Sequence, residues 1–290
     1  MLLVTGSTGL IGSRVLRRLV DSGEDVRCLV RDPRRLGDNR VRVQLTIGDM
    51  ADPLTFASAL RGVDTVVHMA AAIRDQKGAT IEDINATATW RLLQAAQAAG
   101  VKRFIYFSAL NAAPDTPTRF LKAKAEAERA VTESQLDTTI FAPSIVYANG
   151  DVFQTILKRM AILPLVPISG NGKAEYEPIW ADDVADCVVA SIAKPAKNTR
   201  YEMAGPETLT YDEIARELLL AAGKKRPFLH VPIGLVKPSL QITGALLRSK
   251  APTVWDEVEL MEVPMLSRRG TADAESLGVD PLPMREALQR

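Results

Sequence analysis

The first half of the chain alternates short apolar runs with longer stretches whose apolar residues return every three or four positions. Leu2-Leu3-Val4 reads as a strand. Ile11, Val15, Leu16, Leu19 and Val20 then recur at helical spacing, and Gly23 stands where a helix stop belongs. Further apolar runs predict strands at 26–30, 41–45, 65–69, 103–108 and 138–141, with helical patterns at 53–60, 84–99 and 119–133 between them. The run Thr65-Val66-Val67-His68-Met69 lacks the alternation of a half-exposed strand, so it is expected inside the sheet. Strand–helix alternation of this kind predicts an α/β fold, a doubly wound parallel sheet with helices on both faces and strand order 3-2-1-4-5-6.

After about residue 150 the pattern changes. Prolines cluster at Pro164, Pro167 and Pro178, and again at Pro227, Pro232 and Pro238. Helical patterns persist at 181–193, 211–221 and 254–261, and strands become sparse. The expected organisation is a nucleotide-binding domain over 1–150 and a smaller, mainly helical part over 151–290. The second part is interleaved with the first and covers the carboxyl ends of the strands, where ligands bind in such sheets. An apolar helix over 235–247, ending in Arg248 and Lys250, reads as a lid with basic residues at its dipole's negative end; a membrane-surface or partner-docking helix is the other reading. Phe153, Met160, Trp180 and Trp255 are candidate cleft residues, although such side chains are more often core.

Composition narrows the classes. The 290 residues carry a formal net charge of +1, which argues against a partner bound through phosphate neutralisation, so no nucleic acid is expected. Two cysteines, Cys28 and Cys187, and two histidines, His68 and His230, offer no metal-ligand spacing, so no metal is expected. The opening Met1-Leu2-Leu3-Val4-Thr5-Gly6 has no basic region followed by an apolar one, and no apolar run reaches about 18 residues. A cytoplasmic location without a spanning segment is therefore expected, peripheral membrane contact aside.

The densest chemical signal is the turn between the first strand and first helix, Gly6-Ser7-Thr8-Gly9-Leu10-Ile11-Gly12. Gly6 permits the tight turn, Gly9 lets backbone N–H groups approach a pyrophosphate, and Gly12 allows close helix–sheet packing. At the end of the second strand, where an acidic residue would hold a ribose 2′-hydroxyl, stands Arg31, with Arg34 and Arg35 close behind. A planar guanidinium suits a 2′-phosphate, so NADP(H) is expected in preference to NAD(H). Asp32 falls one residue late and reads as the cap of the turn before Pro33. Asp49 and Met50, after the third strand, are candidates for the adenine end, although an Asx turn explains Asp49 equally well.

Taken together, the glycine turn, Gly48-Asp49, Val66-Val67-His68-Met69-Ala70-Ala71, Asn85, Gly100-Val101-Lys102-Arg103-Phe104, Ser108, Lys124-Ala125-Glu126-Ala127-Glu128, Pro143-Ser144-Ile145-Val146-Tyr147, Trp180-Ala181-Asp182-Asp183-Val184-Ala185 and Gly205-Pro206-Glu207 resemble the extended and atypical short-chain dehydrogenase/reductase superfamily. The resemblance covers roughly the first three quarters of the chain. Within the superfamily the chain looks most like the branch around the nucleotide-binding accessory subunit of respiratory complex I. The resemblance implies a Rossmann sheet and adds Ala70, Ala71, Lys124, Pro143 and Ile145 to the cofactor-contacting residues.

The superfamily's reaction is hydride transfer, with a Tyr-x-x-x-Lys pair and a serine at the end of the fifth strand. Ser108 matches the serine and Lys124 the lysine, but Phe120 occupies the tyrosine position and has no titratable group. Ala142 stands where many relatives carry arginine. Tyr147 is the best substitute proton donor on offer; Lys122 falls on the wrong helix face, and His68 reads as a satisfied core histidine. Three functions follow. The first is an NADP(H)-holding regulatory, redox-linked or assembly protein with a protein partner. The second is an NADP(H)-dependent oxidoreductase or isomerase acting on a small molecule through Ser108, Lys124 and Tyr147. The third is a nucleotide-sugar epimerase or dehydratase, weakened by the missing tyrosine.

Overall fold

The computed structural model describes residues 1–194, 197–234, 236 and 255–290. Strands β1 (Leu2–Thr5), β2 (Val26–Val30), β3 (Gln44–Ile47), β4 (Thr65–His68), β5 (Arg103–Phe107) and β6 (Asp137–Pro143) form a parallel sheet ordered 3-2-1-4-5-6 from its β3 edge. The short strands β7 (Val146–Tyr147), β8 (Val166–Ser169), β9 (Glu175–Tyr176) and β10 (Ile179–Trp180) lie outside it. Strand β11 (Thr199–Met203) then returns to pair in parallel with β6 and completes a seven-stranded sheet. Strands β12 (Leu209–Thr210) and β13 (Phe228–Val231) pair with β9 and β8.

The third strand lies about three residues later than its apolar run suggested. Val41 belongs instead to a 3-10 segment, Pro33–Val41, and its side chain is exposed. An edge strand buries little, so its hydrophobicity is a weak guide to its register. The seventh strand was not expected. Its sequence, Thr-Arg-Tyr-Glu-Met, alternates half-buried and buried positions as an edge strand should.

Helices α1 (Leu10–Asp21), α2 (Pro53–Phe56), α3 (Ala88–Ala98), α4 (Arg119–Thr132), α5 (Val152–Met160), α6 (Ala181–Ala193) and α7 (Tyr211–Ala221) cover the sheet and the cleft. Helix α1 packs on α6 through Val15, Leu19, Val184 and Val188, and Asp182, in the first turn of α6, accepts from Arg14 Nε at 2.9 Å and lies 2.9 Å from Arg18 Nη1. An acidic residue there suits the helix dipole, and the ion pairs tie α1 to α6. Three further caps set helix starts: Thr118 for α4, Asp151 for α5 and a Thr210–Glu213 capping box for α7. A short helix, Trp255–Leu260, stands close to the pattern expected at 254–261. The apolar helix expected at 235–247 falls almost wholly outside the described residues.

Candidate functional site

The glycine turn is sterically obligatory. Gly6 has φ +72°, and a Cβ there would lie 2.5 Å from the backbone of Met69 and Ala70, where β1 and β4 deliver their loops side by side. A Cβ on Gly12 would sit 2.1 Å from the carbonyl oxygen of Gly6. Gly9 caps α1 with extended backbone and no side-chain hydrogen bond, and no acidic residue occupies the first turn. The N–H groups that open α1, at Leu10 and Ile11, thus lack a side-chain acceptor and point toward the end of the sheet where an anion would be held. A dinucleotide's pyrophosphate fits this cradle. Ser7 is buried and its Oγ has no hydrogen-bond partner; Thr8 is half-exposed.

At the end of β2, Asp32 accepts from the backbone N–H of Arg34 and from its guanidinium at 2.9–3.0 Å, so Asp32 is the turn cap and Arg34 is its partner. Neither Arg31 nor Arg35 forms an ion pair or a side-chain hydrogen bond among the described residues, and both are exposed beside the cradle. Asp49 accepts from Ala51 N–H at 3.0 Å through Oδ1, an Asx turn, which leaves Oδ2 as an acceptor beside the half-buried Met50. After β4, the loop bearing Ala70 and Ala71 is held by Asn85, whose amide donates to Ala72 O at 2.7 Å and to Ile81 O at 2.8 Å. A π-helical turn, Asp83–Thr87, carries Asn85 inward.

His68 is a satisfied core histidine. Thr89 Oγ1 gives its proton to Asn85 O at 2.7 Å, so it accepts from His68 Nε2 at 2.9 Å, and Nδ1 accepts from Thr5 Oγ1 at 2.6 Å. Burial and the nearby Lys124 lower its pKa to about 3, and the ring is neutral.

Lys124 is only 2% exposed, although its helix reads as a charged surface stripe. Its ammonium donates to the carbonyl oxygen of Phe107 at 2.6 Å and lies 5.0 Å from the ring centre of Tyr106 and 5.7 Å from that of Phe120. Burial pulls its pKa down to about 7, against the counter-effect of Glu128. Ser108 follows Phe107; its N–H donates to Phe141 O at 2.8 Å and its buried Oγ has no partner. Ser108, Phe120 and Lys124 thus gather at the carboxyl end of β5, with a phenyl ring in place of a phenol.

Tyr147 stands in β7, in the apolar cluster against which Phe120 packs. Its ring packs on Trp180 with centroids 5.3 Å apart and forms part of the wall of a cleft of about 300 Å³. Its buried hydroxyl has no partner, and burial with Asp183 and Glu207 nearby holds it protonated well above the usual phenol range. The cleft begins at Ile145, just past Pro143 at the end of β6, and is lined chiefly by apolar and aromatic side chains, among them Phe153, Ile156, Met160 and Tyr211. Trp180 backs the wall behind Tyr147, and Trp255 is not among the lining residues. Asp151 is at the rim, engaged as the α5 cap. Sequence reasoning missed Arg74, Tyr176 and Glu257. Arg74 Nε donates to Glu257 Oε1 at 2.7 Å across 183 residues, a pairing with no local signal.

The family model for NAD(P)H-binding proteins matches residues 6–195. The chain belongs to that family. It is 33% identical to the NAD(P)H azoreductase of Xenophilus azovorans over 84% of this chain and 81% of that protein. It is 28% identical to the mitochondrial NADH dehydrogenase (ubiquinone) 1 alpha subcomplex subunit 9 of Arabidopsis thaliana, over 73% of this chain and 55% of that longer protein. The fold matches that of an NADPH-dependent quinone oxidoreductase of Escherichia coli solved with NADPH, with TM-score 0.75 and 20% identity over 100% of this chain and 99% of the other. The NAD(P)-binding Rossmann fold and atypical short-chain dehydrogenase/reductase kinship expected from the residues are both present. Among the described residues, no helix is long and apolar enough to cross a membrane.

Proposed function

We propose that this protein is an NADP(H)-dependent reductase of apolar, conjugated acceptors, a class that includes quinones and azo compounds. The observation that carries the reading is the cleft: about 300 Å³, walled by Ile145, Tyr147, Phe153, Ile156, Met160 and Tyr211, and opening from the carboxyl end of β6. A flat aromatic acceptor gains from burial against such walls, whereas a sugar nucleotide would lose hydrogen bonds there. The azoreductase relative supports the same class.

The bound nucleotide supplies a hydride. Arg31 and Arg35 would hold the 2′-phosphate, the N-terminus of α1 and the glycine turn would hold the pyrophosphate, and Asp49 Oδ2 is the acceptor available to the adenine. Lys124, Pro143 and Ile145 would position the nicotinamide end, and Ser108 Oγ, buried and unpartnered, would be free to donate to a polar atom of the acceptor. Phe120 has no proton to give, and Tyr147 holds its own strongly. Hydride addition to a conjugated acceptor yields a delocalised anion that takes its proton from water, so this class needs no tyrosine.

The test is NADPH oxidation by the purified protein with a naphthoquinone and with an azo dye, beside a simple ketone. Turnover of the conjugated acceptors, with KM raised by Met160→Glu, supports the proposal. Stoichiometric NADPH binding without turnover of any acceptor sinks it and supports a second reading, a nucleotide-holding assembly or regulatory protein. The complex I relative and the loss of the tyrosine favour that second reading.

A further inference from the structure

A run of four consecutive exposed apolar residues, Ile162-Leu163-Pro164-Leu165, leaves the end of α5. Ile162 is 83% exposed, Leu163 52% and Leu165 42%. Such a run costs solubility and marks a candidate contact surface. The neighbouring segment is Lys224-Lys225-Arg226-Pro227, all exposed. The two are held together: Arg226 Nε donates to Ala161 O at 3.1 Å, Val166 N–H donates to Pro227 O at 3.0 Å, and β8 and β13 then run side by side from this edge. Leu220 and Leu229 add exposed apolar surface to the same edge, and the Arg216 guanidinium lies 5.4 Å from the ring centre of Phe228.

The charge here is one-sided. Residues 157–169 and 218–231 contain Lys158, Arg159, Lys224, Lys225 and Arg226 and no acidic residue, in a chain whose net charge is only +1. Apolar side chains at the tip with cations around them match the two layers of an anionic bilayer surface, hydrocarbon below and phosphate above. A protein partner of matching shape would need its own acidic rim around an apolar socket. The bilayer supplies both without a specific fold.

We infer that the edge formed by Ile162–Leu165 and Lys224–Arg226 docks the protein on anionic phospholipid membranes. Met160 and Pro167, on either side of the apolar run, line the cleft, so docking sets the cleft's rim against the lipid. The inference stands independently of the reaction proposed above.

The experiment is co-sedimentation of the full-length protein with phosphatidylcholine vesicles, and with vesicles containing phosphatidylglycerol. Binding to the anionic vesicles that weakens as salt rises is expected. Ile162→Asp/Leu163→Asp and, separately, Lys224→Glu/Lys225→Glu should each reduce partitioning by about tenfold or more. Unchanged NADPH affinity and circular dichroism in both variants show that they fold. No binding to anionic vesicles at low salt, binding unaffected by either double variant, or equal binding to neutral vesicles would overturn the inference. So would self-association through this face, seen as a dimer in sedimentation that Leu163→Asp abolishes while vesicles are ignored.

Discussion

The ammonium of Lys124 donates a 2.6 Å hydrogen bond to the main-chain oxygen of Phe107, the residue immediately before Ser108. A lysine so buried is poised between its two protonation states near neutrality, with its pKa drawn down to about 7. Unfolding returns it to about 10.5. Between those values the unfolded chain binds more protons than the folded one, so this group makes stability rise with pH across that window, and its charging opposes folding below it. Urea denaturation at a series of pH values should show the rise, on the order of a few kcal/mol, and Lys124→Met should flatten it. An unchanged slope in the variant would place the titration elsewhere.

Arg31 stands directly after β2, while Arg34 is engaged by Asp32. Arg31→Ala should weaken NADPH by about tenfold to a hundredfold, the loss of a charge-assisted contact, and leave NADH nearly untouched. Calorimetric titration with both nucleotides reads this. Equal losses for the two would mean that Arg31 does not meet the 2′-phosphate.

Gly12→Ala places a methyl group 2.1 Å from Gly6 O, against backbone that cannot step aside. A destabilisation of about 1–3 kcal/mol and loss of NADPH binding are expected together, because the same displacement opens the cradle. Thermal unfolding and nucleotide titration on one preparation check both.

Phe120 already lies with its ring centre 5.7 Å from the Lys124 ammonium. Phe120→Tyr restores a phenol one helical turn before the lysine. It should raise reduction of a simple ketone by about a hundredfold, the usual worth of a positioned acid, while azo or quinone turnover changes little. A parallel rise for all acceptors would show that the conjugated ones also draw a proton from this position.

Much of this was legible in the sequence. Each of the first six strands, the sheet order and the glycine turn depend on local pattern: apolar runs, glycines at fixed spacing, and a helix starting at Leu10. Asp32 as a cap and His68 as a core residue followed from short-range reasoning. The position of β3 was misjudged because an edge strand half-open to water imposes little hydrophobic pattern.

What the chain alone determined is therefore the cofactor cradle and the absence of a phenol at position 120, since both are matters of residue identity at adjacent positions. Tertiary structure decided the rest. The pairing of β11 with β6, the Arg74–Glu257 bridge and the shape of the apolar cleft join residues tens to hundreds of positions apart, which no local period encodes. Lys124 belongs to the same class. Its helix carries a charged stripe, and only the sheet packed beneath turned that lysine from a solvated surface group into a buried one with a lowered pKa.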